Sequence, residues 1–147
     1  MENQTEKLLR EIYKEAQGGC ETVCGITPRI HDRRLLAETA RQMEMYSDCT
    51  NRAEQMLQDK NLGSVTFSAL DRISLRGGVW LETMDMHDAA AIADFLQNNF
   101  RASAARMRNT VNRFSYTDCD ADALALGRRL SAAEAAEAEA LRRLSIQ

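Results

Sequence analysis

The sequence has very few of the residues that end helices and build turns. Its 147 residues include one proline and seven glycines. Such a small supply of turn residues leaves little room for a loop-rich or β-rich fold. Alanine, leucine, glutamate, arginine and methionine, which favour helices, fill long stretches instead. We therefore predict an all-α protein that folds as one domain over residues 1–147.

Long apolar runs are also missing. No stretch approaches the roughly 18 apolar residues that a membrane-spanning helix needs. Because the N-terminal residues are polar, we expect no signal peptide there. We expect a cytoplasmic protein without a membrane partner, and we interpret Cys20, Cys24, Cys49 and Cys119 as reduced thiols. A net charge of −3 and arginines spread over every helix give no reason to expect a nucleic-acid partner.

The segment Thr5–Leu57 organises the chain. Apolar residues recur there at spacings of three and four, which predicts two amphipathic helices. Thr5 is the predicted N-cap of the first helix, Pro28 separates the two, and Asp32 is the predicted N-cap of the second. Because the connection is short, the two helices should lie antiparallel and bury their apolar faces against each other.

Three more helices are predicted after this hairpin. A loop with Gly63 as a helix C-cap is followed by a third helix over 67–84, with Thr66 or Ser68 as its N-cap, which Gly77 and Gly78 interrupt. The fourth helix should begin at Asp85 or Asp88 and end near Phe114, and the last should cover about Asp120–Leu144.

Two arrangements of these five segments fit the sequence. In the first, all five helices alternate up and down. In the second, the interrupted helix carries the chain back along the bundle while the other four form the core, which is the crossover topology of ferritin-like bundles. Both place the start of the fourth helix at the end of the bundle where Pro28 lies.

Several stretches resemble a group of uncharacterised ferritin-like proteins from Gram-positive anaerobic bacteria. The opening Leu8–Ala16 (LLREIYKEA) resembles their first helix, Leu35–Leu57 is similar to their second, and Glu82–Ala93 is similar to the junction between two later helices. The resemblance covers most of Leu8–Arg106, and it extends distantly to spore-coat ferritin-like proteins. It implies an antiparallel four-helix bundle with an additional interrupted crossover helix, and it implies no known activity.

The residues needed for a ferritin-like di-iron centre are missing. Such centres use carboxylates from all four helices and a Glu-x-x-His motif on two of them, and this sequence has no Glu-x-x-His. Glu21, Glu38, Glu44 and Asp94 are single candidates for inward-facing carboxylates. We therefore expect no catalytic site and no cofactor.

One candidate metal site remains, formed by Cys20, Cys24, His31 and His87. Both predicted arrangements place these residues toward the same end of the bundle, and two cysteines one helical turn apart can face one zinc or iron ion. The alternative is that the cysteines are packing residues and the histidines cap helix ends. Our leading hypothesis is a non-catalytic bundle with a structural or protein-interaction role, which self-associates as a homodimer.

Overall fold

The computed structural model describes residues 3–144, which form five α-helices without a strand. The all-α prediction is confirmed for this part of the chain. In chain order the helices are α1 (Gln4–Ile26), α2 (Arg33–Asp59), α3 (Ala69–Thr83), α4 (Ala89–Phe114) and α5 (Ala121–Arg143). The break at Pro28 takes the form of a short 3₁₀ turn, Thr27–Arg29.

Most of the N-terminal caps follow the sequence prediction. The carboxylates of Asp32 and Asp88 and the hydroxyl of Ser68 each accept a hydrogen bond from a backbone N–H in the first turn of their helix. The prediction for α1 was wrong, because Asn3 is the cap and Thr5 lies buried inside the first turn. The hydroxyl of Thr5 instead accepts a hydrogen bond of 2.8 Å from the backbone N–H of Asp120, at the start of α5.

Two predictions about glycine need correction. Asn61, with φ 56°, follows the C-cap Lys60 of α2, and the N–H of Leu62 donates to the carbonyl of Leu57 at 2.8 Å. That bond is typical of a helix that closes with a left-handed residue, a role that we assigned to Gly63. Gly77 and Gly78 do not interrupt α3, which is helical throughout Ala69–Thr83.

Four of the helices surround one core. α1 packs against α2, and α4 packs against α5, so that the core consists of two hairpins. Arg106 and Arg113 of α4 pair with Glu15 and Glu11 of α1 at 2.9 and 3.3 Å, so α4 runs antiparallel to α1. α5 starts beside the first turn of α1 and therefore runs parallel to it.

α3 lies outside these four helices and packs on α1. The guanidinium of Arg29 donates to the carbonyl of Trp80 at 3.2 Å, which places the end of α3 next to the Pro28 turn. α3 therefore carries the chain from the end of α2 back to the end where α4 begins.

The centre of the core depends on Gly19. The ring of Tyr46 lies directly against Gly19, in the space that a Cβ would occupy. Tyr46 is 1% exposed, and its ring stacks on Phe100 of α4 with the two centroids 5.8 Å apart. A missing side chain on α1 thus allows one aromatic ring on α2 to reach the middle of the bundle.

We expect Gly19→Ala to lower the free energy of unfolding by about 1–3 kcal/mol or more, because the new methyl group overlaps the Tyr46 ring and the packed core must shift. Gly18→Ala is the matched control, since a Cβ there meets nothing within 4 Å. This control should be neutral or stabilise by up to about 1 kcal/mol through helix propensity. Urea denaturation measures both variants, and equal effects would contradict the assignment.

Candidate functional site

The residues of the predicted metal site face different neighbours. The Cys20 sulfur lies 3.9 Å from the carbonyl oxygen of Met43 on α2. The Cys24 sulfur instead lies 3.4 Å from the Arg76 guanidinium on α3. His31 and His87 are both exposed. Within residues 3–144, no three or more His, Cys, Asp or Glu side chains are grouped so as to hold an ion. This geometry gives the metal site no support, and the site stays a prediction.

Two of the cysteines, Cys20 and Cys49, are also poorly suited to act as thiolates. Burial raises the pKa of Cys20, and it raises the pKa of Cys49 to about 12. Metal ligands and nucleophiles require the deprotonated sulfur, and a raised pKa keeps these two thiols protonated at neutral pH. Their environment is therefore typical of packing residues.

Elemental analysis tests the metal hypothesis directly. We expect protein purified under reducing conditions to contain far less than one zinc or iron per chain. Added zinc should leave the thermal midpoint unchanged, because an ion that binds only the folded state would raise it. A stoichiometric ion that Cys24→Ser removes would contradict this expectation.

A polar contact that the sequence analysis did not predict lies in the centre of the bundle. The hydroxyl of Tyr46 donates a hydrogen bond of 2.7 Å to Oε2 of Glu134 on α5. Glu134 has no exposed surface, and its other carboxyl oxygen has no hydrogen-bond partner. Buried carboxyl groups are uncommon because the charged form loses its hydration.

The protonation state of Glu134 follows from this burial. Desolvation raises its pKa to about 8, although the hydrogen bond from Tyr46 opposes the shift. The negative charge of Glu15 raises the pKa further, and the positive charge of Arg106 lowers it. At neutral pH Glu134 is therefore mostly protonated, and the centre of the bundle carries little charge.

A second buried carboxyl group lies one turn further along α5. Oε1 of Glu137 accepts a hydrogen bond of 2.5 Å from Arg41, which also pairs with Glu38. Burial raises the pKa of Glu137, and the positive charge and hydrogen bond of Arg41 oppose that shift. Gln42 is fully buried, yet neither atom of its amide, nor Oε2 of Glu137, has a partner in hydrogen-bond geometry. The contact between α2 and α5 is therefore the most polar part of the core.

The spacing of residues along α5 indicates that Glu134 and Glu137 lie on the buried face of the helix. The buried positions of α5 are Ala123, Leu126, Gly127, Leu130, Glu134, Glu137, Ala138 and Leu141. Glu134 follows Leu130 by four residues and precedes Leu141 by seven, so it lies on the apolar face. The single carboxylates that we considered, Glu21, Glu38, Glu44 and Asp94, did not include either residue. Of those four, Glu21 alone is buried.

We expect Glu134 to make the stability of the protein depend on pH. Its pKa is about 8 in the folded protein, against an ordinary value of 4.5, so the folded state holds the proton more tightly than the unfolded chain. The free energy of unfolding should therefore fall as the pH rises from about 4.5 to about 8, by on the order of a few kcal/mol. Above about 8 this contribution should be constant.

Glu134→Gln is the matched variant, because its amide keeps the shape and can still accept from Tyr46 but does not ionise. The fall in the free energy of unfolding between these two pH values should be smaller in the variant than in the wild type, as measured by urea denaturation at several pH values. The part that remains includes the contribution of Glu137, whose pKa is also raised by burial. Glu139→Gln controls for the loss of a carboxylate, since Glu139 is on the same helix and pairs with Arg142 and Arg143 at the surface. Identical profiles for wild type and Glu134→Gln would contradict the assignment.

α3 and its C-cap carry most of the large apolar side chains that are exposed among the described residues. Five large apolar side chains on its outward side are about half to three-quarters exposed. We call them the α3 stripe: Leu70 (72%), Ile73 (69%), Trp80 (55%), Leu81 (64%) and Met84 (47%). Met84 is the C-cap residue of α3. A large apolar residue that is fully exposed has about 200 Å² of accessible surface. At the exposed fractions given above, the five residues together expose roughly 600 Å² of apolar surface. That value lies at the upper end for the largest apolar patch of a monomer, about 300–600 Å².

The opposite side of α3 attaches it to the bundle. Val79 and Thr83 are its buried residues, and Val79 packs against Gly25 of α1. Arg72 and Arg76 both pair with the buried carboxylate of Glu21, at 3.4 and 2.7 Å. Leu75 and these residues fall on one helix face, and the α3 stripe falls on the other. The α3 stripe therefore points away from α1, and Arg29 contacts both the carbonyl and the ring of Trp80 at its edge.

Comparison with known proteins adds no assignment: no family model matches the chain, and no curated protein or solved structure matches it significantly. Among the described residues, no helix has the length and apolar character needed to cross a lipid bilayer.

Proposed function

We propose that the chain is a non-catalytic helical bundle with a structural or protein-interaction role, which it performs by binding a second copy of itself through the α3 stripe. The observation that carries this proposal is the set of five exposed apolar side chains on one face of α3. Exposed apolar surface is unfavourable in water, and association with another apolar surface removes it.

The size of the stripe favours association of two chains. Roughly 600 Å² from each copy gives about 1,200 Å² of buried surface, which is the lower limit for specific interfaces. Trp80 is an aromatic residue of the kind that dominates binding energy at interfaces. The Arg29 guanidinium lies 5.6 Å from the centre of its ring and helps to fix the ring before binding.

The finer description of the fold belongs to the same proposal. The position of α3 outside four core helices supports a ferritin-like bundle with α3 as the crossover, as the resemblance of Leu8–Arg106 implies. A cytoplasmic bacterial protein is consistent with this picture. The buried Tyr46–Glu134 pair then has a structural role, because no group of metal-binding side chains among residues 3–144 surrounds it.

Light scattering coupled to size-exclusion chromatography tests the proposal. We expect wild-type protein to form a dimer in a concentration series from micromolar upward. Leu70→Ser combined with Ile73→Ser should raise the dimer Kd at least about tenfold, because burying one such side chain contributes about 1.5–3 kcal/mol. Both side chains are exposed, so the fold of the monomer should persist.

Tyr116→Ser is the matched control, since Tyr116 is a large side chain that is 92% exposed and lies outside α3. It should leave the dimer Kd unchanged. A strictly monomeric wild type would overturn the proposal, and so would a dimer that the double substitution on α3 does not weaken.

A further inference from the structure

The spacing of the α3 stripe indicates how its partner binds. Leu70, Ile73, Gly77, Trp80 and Met84 follow each other at steps of three, four, three and four residues. Alternating steps of three and four form the seam along which two helices pack side by side. Leu81 lies next to Trp80 and widens the seam. Gly77 is at its centre, with Leu70 seven residues before it and Met84 seven residues after it.

Neither packing nor backbone conformation within a single copy of the chain requires a glycine at position 77. A Cβ built on Gly77 or Gly78 meets no atom within 4 Å. Neither glycine has a positive φ, and both lie inside a continuous helix, where glycine is unfavourable. Gly77 leaves a notch in the middle of the exposed seam, whereas Gly78 is rotated about 100° away from it. A glycine within a helix interface permits close approach of the partner.

We propose that the second copy packs its α3 antiparallel to this one, with the two-fold axis at Gly77 and each Trp80 ring in the notch at the partner's Gly77. This inference rests on the proposed function, which it extends by naming the register. The axis places Leu70 opposite the partner's Met84 and Ile73 opposite the partner's Leu81. Each pair then consists of two apolar side chains.

The antiparallel arrangement matches large side chains with small ones. The axis at Gly77 places Trp80 opposite the partner's Ser74, and its ring extends over the partner's Gly77. A parallel pair in register would place the two Trp80 rings at the same level and the two Gly77 notches at another, which leaves a clash beside a void. Interfaces pack as densely as protein interiors, so the antiparallel register is the better fit.

The charges on α3 permit this packing. Arg72 and Arg76 are occupied with Glu21 on the side that faces α1. Asp71 and Glu82 lie on a flank, well over 100° from the centre of the stripe. Two copies related by the axis therefore bring no like charges of α3 together in the seam, and their four-helix cores lie on opposite sides of the α3 pair. Arg29, which lies over the Trp80 ring, is a nearby charge from outside α3.

Disulfide trapping tests the register. Equal amounts of a Leu70→Cys chain and a Met84→Cys chain are mixed and mildly oxidised, and the cross-linked peptides are mapped by mass spectrometry. We expect a bond between positions 70 and 84 in the mixture and no bond between two copies of position 70 in Leu70→Cys alone. A bond between two copies of position 70 would indicate parallel packing and overturn the inference. The wild-type chain, oxidised in the same way, identifies any bonds formed by the native cysteines.

A pair of leucine substitutions tests the notch. Gly77→Leu fills the space for the partner's Trp80 and should raise the dimer Kd at least tenfold, although it adds apolar surface. Gly78→Leu adds the same side chain beside the seam and should change the Kd less than threefold. Unchanged or tighter association of Gly77→Leu would overturn the inference, because it would show that apolar surface alone drives binding.

The outcomes separate this inference from the proposed function. A monomeric wild type would overturn both. A wild-type dimer that Leu70→Ser with Ile73→Ser weakens, but that gives no bond between positions 70 and 84, would retain the proposed function and overturn the register alone.

Discussion

The contact of the Tyr46 ring with Gly19 is the constraint on which the centre of this bundle depends. It brings α2 close to α1 and directs the tyrosine hydroxyl toward α5, where Glu134 accepts its hydrogen bond. The same ring stacks on Phe100 of α4. One side chain therefore contacts all three of the other core helices. A larger residue at position 19 would displace it from each of them.

The buried glutamates show how a polar layer can be retained in an apolar core. Glu134 is tolerated because its raised pKa keeps it mostly neutral, and Glu137 because Arg41 reaches it from the surface. Such a layer adds little to stability, since each group loses hydration on burial. The contact between α2 and α5 nevertheless has a fixed pattern of donors and acceptors, which favours one register of these helices over shifted ones.

The sequence predicted the helices well because their signals are local. Apolar periodicity and the caps Asp32, Ser68 and Asp88 depend on residues within one or two turns. The sequence predictions were wrong at positions where the structure depends on the surroundings in the folded protein and not on neighbours in the sequence. Thr5 is buried because α5 starts beside it, and Gly77 and Gly78 remain helical because nothing near them requires a kink. The metal hypothesis for Cys20, Cys24, His31 and His87 is a different case, because it stays a prediction. It depends on side-chain directions, which a shared end of the bundle does not determine.

Glu134 and the α3 stripe were harder to recognise for different reasons. Glu134 has the right spacing for the core, but a carboxylate is assigned to the surface by default. The apolar residues of α3 have the spacing of a buried helix face, and the sequence does not indicate that the bundle covers only the opposite face.

The attachment of α3 has one consequence for the energetics of the whole chain. α3 is attached through an apolar contact around Val79 and Thr83, the ion pairs of Arg72 and Arg76 with Glu21, and the contact of Arg29 with Trp80. Because Val79 and Thr83 are its buried residues, we expect α3 to open more readily than the four core helices. We expect the four core helices to stay folded when α3 opens, because their contacts with one another do not involve α3. The chain therefore combines a stable four-helix core with a more weakly attached α3. A partner that binds α3 in its attached position also stabilises that attachment.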